Sequence, residues 1–348
     1  MIKQGEESDS KRLIVILGMA RSGTSVISRG VKALGVDLGT ALSPGSKWNP
    51  TGFWEDHDIV YKINEQILKK VGIYWDSTRA ISKAELQNST LDELKFKACA
   101  IIKKRLSQKT MWGFKDPRTA RLLPFWQNVF QTLGVHESYV IALRNPLSSA
   151  LSYQRLTDAD VEHGLILWVL HLIAAVNETH GKQRVIVNYD TLMKNPRQQL
   201  TRLQSELHLD HLENNNTINH YIDSFLDKNL THFEYKSQDL EIHPATKVSP
   251  VASQVYSWLL KIAHDEITFD DKNFQIAWQD IQHQLHVVLP FYDLIDTLLR
   301  RHKTLKTYTR QLHKSRLWKI IYPLRKFDET LRTWRKRNGE KKLLGPSE

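Results

Sequence analysis

Short apolar runs rich in β-branched residues alternate along the chain with longer stretches whose apolar positions recur every three or four residues. Residues 13–17 (LIVIL) and 138–143 (SYVIAL) are such runs, and shorter ones occupy 112–115 and 185–187. Too short for amphipathic helices and poor in polar residues, they read as strands buried on both faces of a parallel sheet. After the first run, Val26, Ile27, Val31 and Leu34 follow a helical period that stops at Gly35. Ile59, Ile63, Ile67 and Leu68 mark a second helix, and Leu122, Leu123, Phe125 and Trp126 a third, led by Pro117. This alternation predicts an α/β fold, a parallel sheet with helices on both faces, over residues 13–240. Residues 241–315 read as a helical extension, with helices at 251–264 and 277–299, and 316–348 as a basic amphipathic tail. Residues 1–12 are polar and read as a flexible N-terminus.

The most specific chemistry lies where the first strand ends. Gly18 and Gly23 let the backbone turn tightly and approach an anion, and Thr24 opens a helix whose unpaired N–H groups and dipole attract phosphate. A nucleoside triphosphate loop, G-x-x-x-x-G-K-[ST], carries Lys directly after its second Gly. Here that position is Thr24, and the cation lies inside the loop as Arg21. A second strand end repeats the arrangement: residues 138–143 run into Arg144-Asn145-Pro146 and a helix carrying Ser148, Ser149 and Ser152. The planar Arg fork suits a phosphate dianion.

The loop Gly18 to Ser25 fits G-x-x-[RK]-S-G-[TS]-[TS] and resembles the 5′-phosphosulfate loop of sulfotransferases that use 3′-phosphoadenosine-5′-phosphosulfate (PAPS). Its Arg is similar to that of the carbohydrate and tyrosylprotein branches of the family. The resemblance covers about residues 13–207 and implies a P-loop-like sheet, the sulfotransferase fold. It also implies that Gly18, Arg21, Ser22, Gly23, Thr24 and Ser25 hold the 5′ end of the donor, and that Arg144 and Ser152 hold its 3′-phosphate, which ATP lacks. Val185-Ile186-Val187-Asn188-Tyr189-Asp190 resembles the family's V-x-Y segment, which places Tyr189 near the adenine; a Tyr buried in a core strand is the alternative.

Two segments carry candidate chemistry. Asn49-Pro50-Thr51-Gly52-Phe53-Trp54-Glu55 resembles an N-P-x-G-[FY]-x-E stretch of bacterial carbohydrate sulfotransferases, and makes Glu55 the candidate base for the acceptor hydroxyl, with His57 as the second candidate. Alternatively Glu55, Asp56 and Asp58 occupy a first helical turn, where acids complement the dipole. Trp112-Gly113-Phe114-Lys115-Asp116-Pro117-Arg118 resembles the family's W-x-x-K-D-P-R element, whose Lys stabilises the transferring group; the alternative is a surface Lys115 beside a helix-capping Asp116. The role of Arg118, in acceptor binding or in structure, stays open.

Composition narrows the rest. The net charge of +11 is localised: 16 of the 49 Lys and Arg residues lie between Arg300 and Lys342 against three acids, leaving residues 1–299 near neutral. Without interleaved aromatics and glycines this tail does not resemble a nucleic-acid module, so no nucleic-acid partner is expected. Phe291, Leu294, Leu298, Arg301, Leu305, Tyr308 and Leu312 form one amphipathic stripe, which fits docking on the chain's own core or self-association into a homo-oligomer. A second stripe, Leu317 to Trp334, flanked by cations, fits an anionic membrane surface through residues 316–337, or docking. Cys99 is the single Cys, and although His208 and His211 stand at an H-x-x-H spacing, neither they nor His163, His171 and His180 have Cys or Glu partners at ligand spacing, so no metal is expected. No run approaches the ~20 residues of a membrane span. The expectation is a cytoplasmic enzyme, peripheral to the inner face of the membrane, sulfating a bacterial surface glycan or glycolipid. The competing classes are an ATP-dependent P-loop kinase and a non-catalytic, membrane-associated binding protein.

Overall fold

The computed structural model describes residues 11–45, 52–157, 159–209, 215–226, 233, 235–315, 318 and 330. The Asn49-Pro50-Thr51 part of the candidate base segment, His211 and almost all of the tail stripe lie outside the described residues. Four parallel strands, β1 (Arg12–Leu17), β2 (Met111–Lys115), β3 (His136–Leu143) and β4 (Arg184–Asn188), form one sheet in the order β2-β1-β3-β4. In register, Ile14 lies opposite both Gly113 and Ser138, and Ala142 opposite Val187. With all strands parallel, their C-terminal ends at Leu17, Lys115, Leu143 and Asn188 share one edge. The chain leaves β1 toward β2 and leaves β3 toward β4, so the crevice between the ends of β1 and β3 is the switch point where α/β sheets receive ligands.

The apolar runs are buried because both faces of the sheet are covered. Residues 13 to 17 are fully buried. Ile14 and Ile16 join Ile27 and Val31 of helix α1 (Thr24–Ala33) and Val140, Val185 and Val187 of the neighbouring strands. An aromatic cluster packs Phe114 against Trp112 at 5.4 Å and Trp126 at 5.2 Å. Helices Pro146–Thr157 and Val161–Glu178 approach closely at Gly164, where a Cβ would meet Ala150 Cα at 2.9 Å.

Several element boundaries differ from the sequence pattern. β4 stops at Asn188, whose side chain accepts the Thr191 N–H at 2.8 Å and caps the turn Tyr189–Lys194; Tyr189 therefore opens a helix and does not sit in a core strand. Residues Asp58–Asn64 form wide π-type turns before the α-helix Glu65–Val71, and Pro117–Arg121 is a 3-10 turn ahead of Leu123–Leu133. Helix Val161–Glu178 is long and apolar enough to cross a membrane, against the expectation of no such run, but 67% of it is buried inside the protein as a core helix.

The helix expected at 277–299 is much longer, Lys272–Lys314, with Pro290 inside it. Its first turns bury Phe274, Trp278, Ile281, Leu285 and Tyr292; Trp278 Nε1 donates to Asn177 Oδ1 at 2.8 Å and Thr78 Oγ1 to the Tyr292 carbonyl at 2.9 Å. The chain divides into two compact units, Met1–Asp293 and Leu294–Glu348.

Candidate active site

The turn after β1 is shaped by three residues in left-handed backbone conformations: Gly18 (φ 138°), Arg21 (φ 71°) and Gly23 (φ 83°). Gly18 also has no room for a side chain, since a Cβ would meet Ala142 Cβ and its carbonyl at 3.0 Å; at Gly23 it would meet Tyr189 Cδ2 at 2.3 Å. Arg21 takes this conformation despite its Cβ, a strain of the order of 1–3 kcal/mol. It is held from two sides: Arg144 Nη1 donates to the Arg21 carbonyl at 3.1 Å, and Arg21 Nε donates to Ser152 Oγ at 3.0 Å. Ser22, fully buried, donates to Ser149 Oγ at 3.3 Å, and Thr24 packs its methyl toward Gly18. The two loops singled out in the sequence are thus joined directly, Arg21 to Ser152 and Ser22 to Ser149.

Arg144 is the centre of this half of the site. It is 7% exposed; its carbonyl accepts Trp168 Nε1 at 3.1 Å, its Nη2 donates to the Phe233 carbonyl at 2.9 Å, and its guanidinium lies 4.5 Å from the centre of the Tyr189 ring. Its Nε is buried without a hydrogen-bond partner. Tyr189, 6% exposed, is wedged between Gly23 and that guanidinium, a cation–π platform. Burial, with Arg144 and Arg155 nearby, pushes the Arg21 pKa below its usual value. Guanidinium groups gathered in this way favour an incoming anion.

The second half forms at the end of β2. Lys115 is 2% exposed and donates from Nζ to Glu55 Oε1 at 2.8 Å. Arg118 Nη1 lies 4.0 Å from Glu55 Oε2, bonds Asp116 Oδ1 at 2.8 Å, and its Nε lies 2.8 Å from Glu65 Oε1. Burial opposes the charge of Arg118, but Asp116, Glu65 and Glu55 outweigh it and raise the pKa. Asp116 is fully buried, caps the turn through the Arg118 N–H at 3.0 Å and accepts Asn64 Nδ2 at 2.8 Å. Lys115 is accordingly no surface cation.

The acids after Glu55 play other parts. Asp56 is buried, accepts the Asp58 and Ile59 N–H groups and pairs with Arg105 at 2.9 Å, while Asp58 pairs with Lys62 and Arg105. His57 is exposed, with its ring 4.6 Å from that of Tyr61. The Glu55 segment is fixed by an antiparallel bridge, Leu42 to Asp56, in which the Ser43 N–H donates to the Glu55 carbonyl at 2.8 Å.

Two features of the site have no counterpart in the sequence motifs. Trp54, in a left-handed conformation (φ 57°), is covered by Arg29 at 5.1 Å and Lys32 at 5.3 Å from α1, and Ser25 Oγ donates to the Phe53 carbonyl at 3.2 Å. Ser25, Arg29 and Lys32 are one helical stripe, a spacing visible in the sequence once its target is known. Phe233, Tyr235 and Lys236 also meet the turn after β3: the Phe233 carbonyl accepts Arg144 Nη2, the Tyr235 N–H donates to Ser148 Oγ at 3.1 Å, and Asn145 Nδ2 donates to the Lys236 carbonyl at 3.3 Å. Among the described residues, no group of three His, Cys, Asp or Glu side chains gathers as a metal site requires.

No protein-family model matches the chain, and no curated protein matches it. Among solved structures, the sulfotransferase domain from the Synechococcus PCC 7002 olefin synthase is similar over 82% of this chain and 98% of its own length, at 15% identity and a TM-score of 0.41. The sulfotransferase domain from the curacin biosynthetic pathway is similar over 80% and 99%, at 14% identity and a TM-score of 0.39.

Proposed function

We propose that the chain is a PAPS-dependent sulfotransferase that moves a sulfuryl group to an acceptor hydroxyl, with a glycan as the acceptor class implied by its motifs. The observation that carries this is the junction of the two anion loops: Arg21 and Arg144 meet at the switch point, and the buried Nε of Arg144 has no hydrogen-bond partner. Gly18 to Ser25 would hold the 5′ end of the donor, and Arg144 with Ser152 its 3′-phosphate. When bound, the donor supplies a sulfuryl group on a phosphate leaving group.

The residues at β2 then divide the work. Glu55 takes the acceptor proton as the new oxygen–sulfur bond forms. Lys115, one hydrogen bond from Glu55, meets negative charge at the same place. Arg21 and the N–H groups at the start of α1 face the charge left on phosphate. The Tyr189 ring supports the Arg144 guanidinium in this account. An adenine contact remains available only through its small exposed part.

The test is transfer of radiolabelled sulfate from PAPS to a panel of hydroxyl acceptors, glycans first, in the presence of a metal chelator. Label on an acceptor, lost with Glu55→Gln, is the expected result. Transfer of the terminal phosphate of ATP, dependent on magnesium, would replace this reading with a kinase.

A further inference from the structure

The C-terminal unit presents a second surface, independent of the donor site. In residues 294–314 the helix exposes Leu294 (55%), Leu298 (52%), Leu305 (65%), Tyr308 (60%) and Leu312 (39%). With Arg301 these step by four and three in strict alternation, a repeat of 3.5 residues that the sequence begins at Phe291. Set in heptads, Leu298, Leu305 and Leu312 fall at a, and Leu294, Arg301 and Tyr308 at d.

What flanks this seam identifies its occupant. The positions beside it, Ile295, Thr297, His302, Thr304, Thr309 and Gln311, carry no Lys, Arg, Asp or Glu. The cations Arg300, Lys303, Lys306, Arg310 and Lys314 fall at b, c and f, on the side turned away from the seam. A helix lying on anionic lipid needs its cations beside the apolar face, at headgroup level. Here that level is neutral and the cations point away. From Arg301 onward the seam is also narrow, with Leu305, Tyr308 and Leu312 its apolar side chains, where an interfacial helix has a broad apolar face. Uncharged e and g positions select no oppositely charged helix, and they bring two copies of a basic helix together with Arg301 as the one charge at the seam.

We propose that this seam is a self-association surface whose partner is a second copy of the same helix, giving a homodimer through a short coiled coil. Arg301 is its single charged layer. Its aliphatic stem covers the seam while the guanidinium reaches solvent, so it weakens the pairing and limits the registers available.

Sedimentation velocity on the full chain across the micromolar range tests this. The expected result is a concentration-dependent dimer. Leu298→Glu combined with Leu305→Glu weakens it by at least about tenfold, with an unchanged circular dichroism spectrum and unchanged affinity for adenosine 3′,5′-bisphosphate. Arg301→Leu tightens it by about tenfold, because a charged layer becomes apolar. A chain that stays monomeric throughout would overturn the proposal, and so would a dimer indifferent to these substitutions. Binding to phosphatidylserine vesicles that weakens in Arg301→Leu, with no dimer in solution, would assign the seam to lipid instead.

Discussion

The two halves of the sheet edge handle their cations in opposite ways. At the β2 end, Lys115 and Arg118 are matched by Glu55, Asp116 and Glu65, and the surrounding acids raise the Arg118 pKa. At the β1 and β3 ends, Arg144 is held by carbonyl oxygens and a Tyr ring, and Arg21 by a Ser hydroxyl; burial and neighbouring cations lower the Arg21 pKa. One half sets its cations against carboxylates; the contacts described for the other are with carbonyls, a hydroxyl and a ring. A neutralised pair suits proton transfer beside a stabilising cation, and gathered guanidinium groups suit a polyanion. Under the proposed function, the difference separates chemistry from binding in space.

Four substitutions break or sharpen that division. The largest effect falls on the chemical half: Glu55→Gln lowers kcat by about 10²–10⁴ and leaves affinity for adenosine 3′,5′-bisphosphate unchanged, measured by single-turnover transfer and calorimetry. Next is Asp56→Asn, one residue away. It breaks the buried pair with Arg105 and costs about 3 kcal/mol of stability in a denaturant titration, while activity per folded molecule is retained. In the binding half, Gly23→Ala costs about 1–3 kcal/mol, because φ is 83° and the new methyl meets Tyr189; it weakens nucleotide binding and leaves the Glu55 and Lys115 pair in place.

At neutral pH the smallest effect belongs to the scaffold that both halves share. Burial, with Arg121 nearby, pushes the pKa of His171 down to about 3, and its Nδ1 lies 2.6 Å from the Leu167 carbonyl. Below the usual value of 6.5 the unfolded chain binds a proton that the folded chain does not. This contribution is therefore complete above that pH and is lost as the pH falls toward 3, at about 1.4 kcal/mol per pH unit. His171→Gln removes that slope from chemical denaturation between neutral and acid pH, with no change in donor affinity.

Much of the binding half was legible in the sequence, because each part is local: a buried strand, two glycines, a cation and a helix start within Leu13 to Ser25, and the same order at Arg144 to Ser152. The chemical half was legible only as two fragments. Nothing in either fragment says that Glu55 and Lys115 share a hydrogen bond across 60 positions, with the Glu55 segment fixed by its bridge to residues 42 and 43. A strand position for Tyr189 stood as the alternative because the apolar run Val185 to Val187 lies just before it; the cap at Asn188 starts a helix there instead. The contacts of Phe233, Tyr235 and Lys236 rest on tertiary structure with no periodic signal, and the Ser25, Arg29 and Lys32 stripe gains its meaning only once Trp54 is placed against it. The helix expected at 277–299 falls short because the 291–312 stripe reads as an element of its own, whereas one helix runs through both, from Lys272 to Lys314.

The central claim is that Arg144 serves a 3′-phosphate. Calorimetric titration of adenosine 3′,5′-bisphosphate and of ATP, without magnesium, into the native chain and Arg144→Ala tests it most directly. Binding of the bisphosphate in clear preference to ATP is expected, weakened at least about 30-fold in Arg144→Ala through loss of a charge-assisted contact worth about 2 kcal/mol or more. Preference for ATP, or bisphosphate binding indifferent to Arg144, would contradict it.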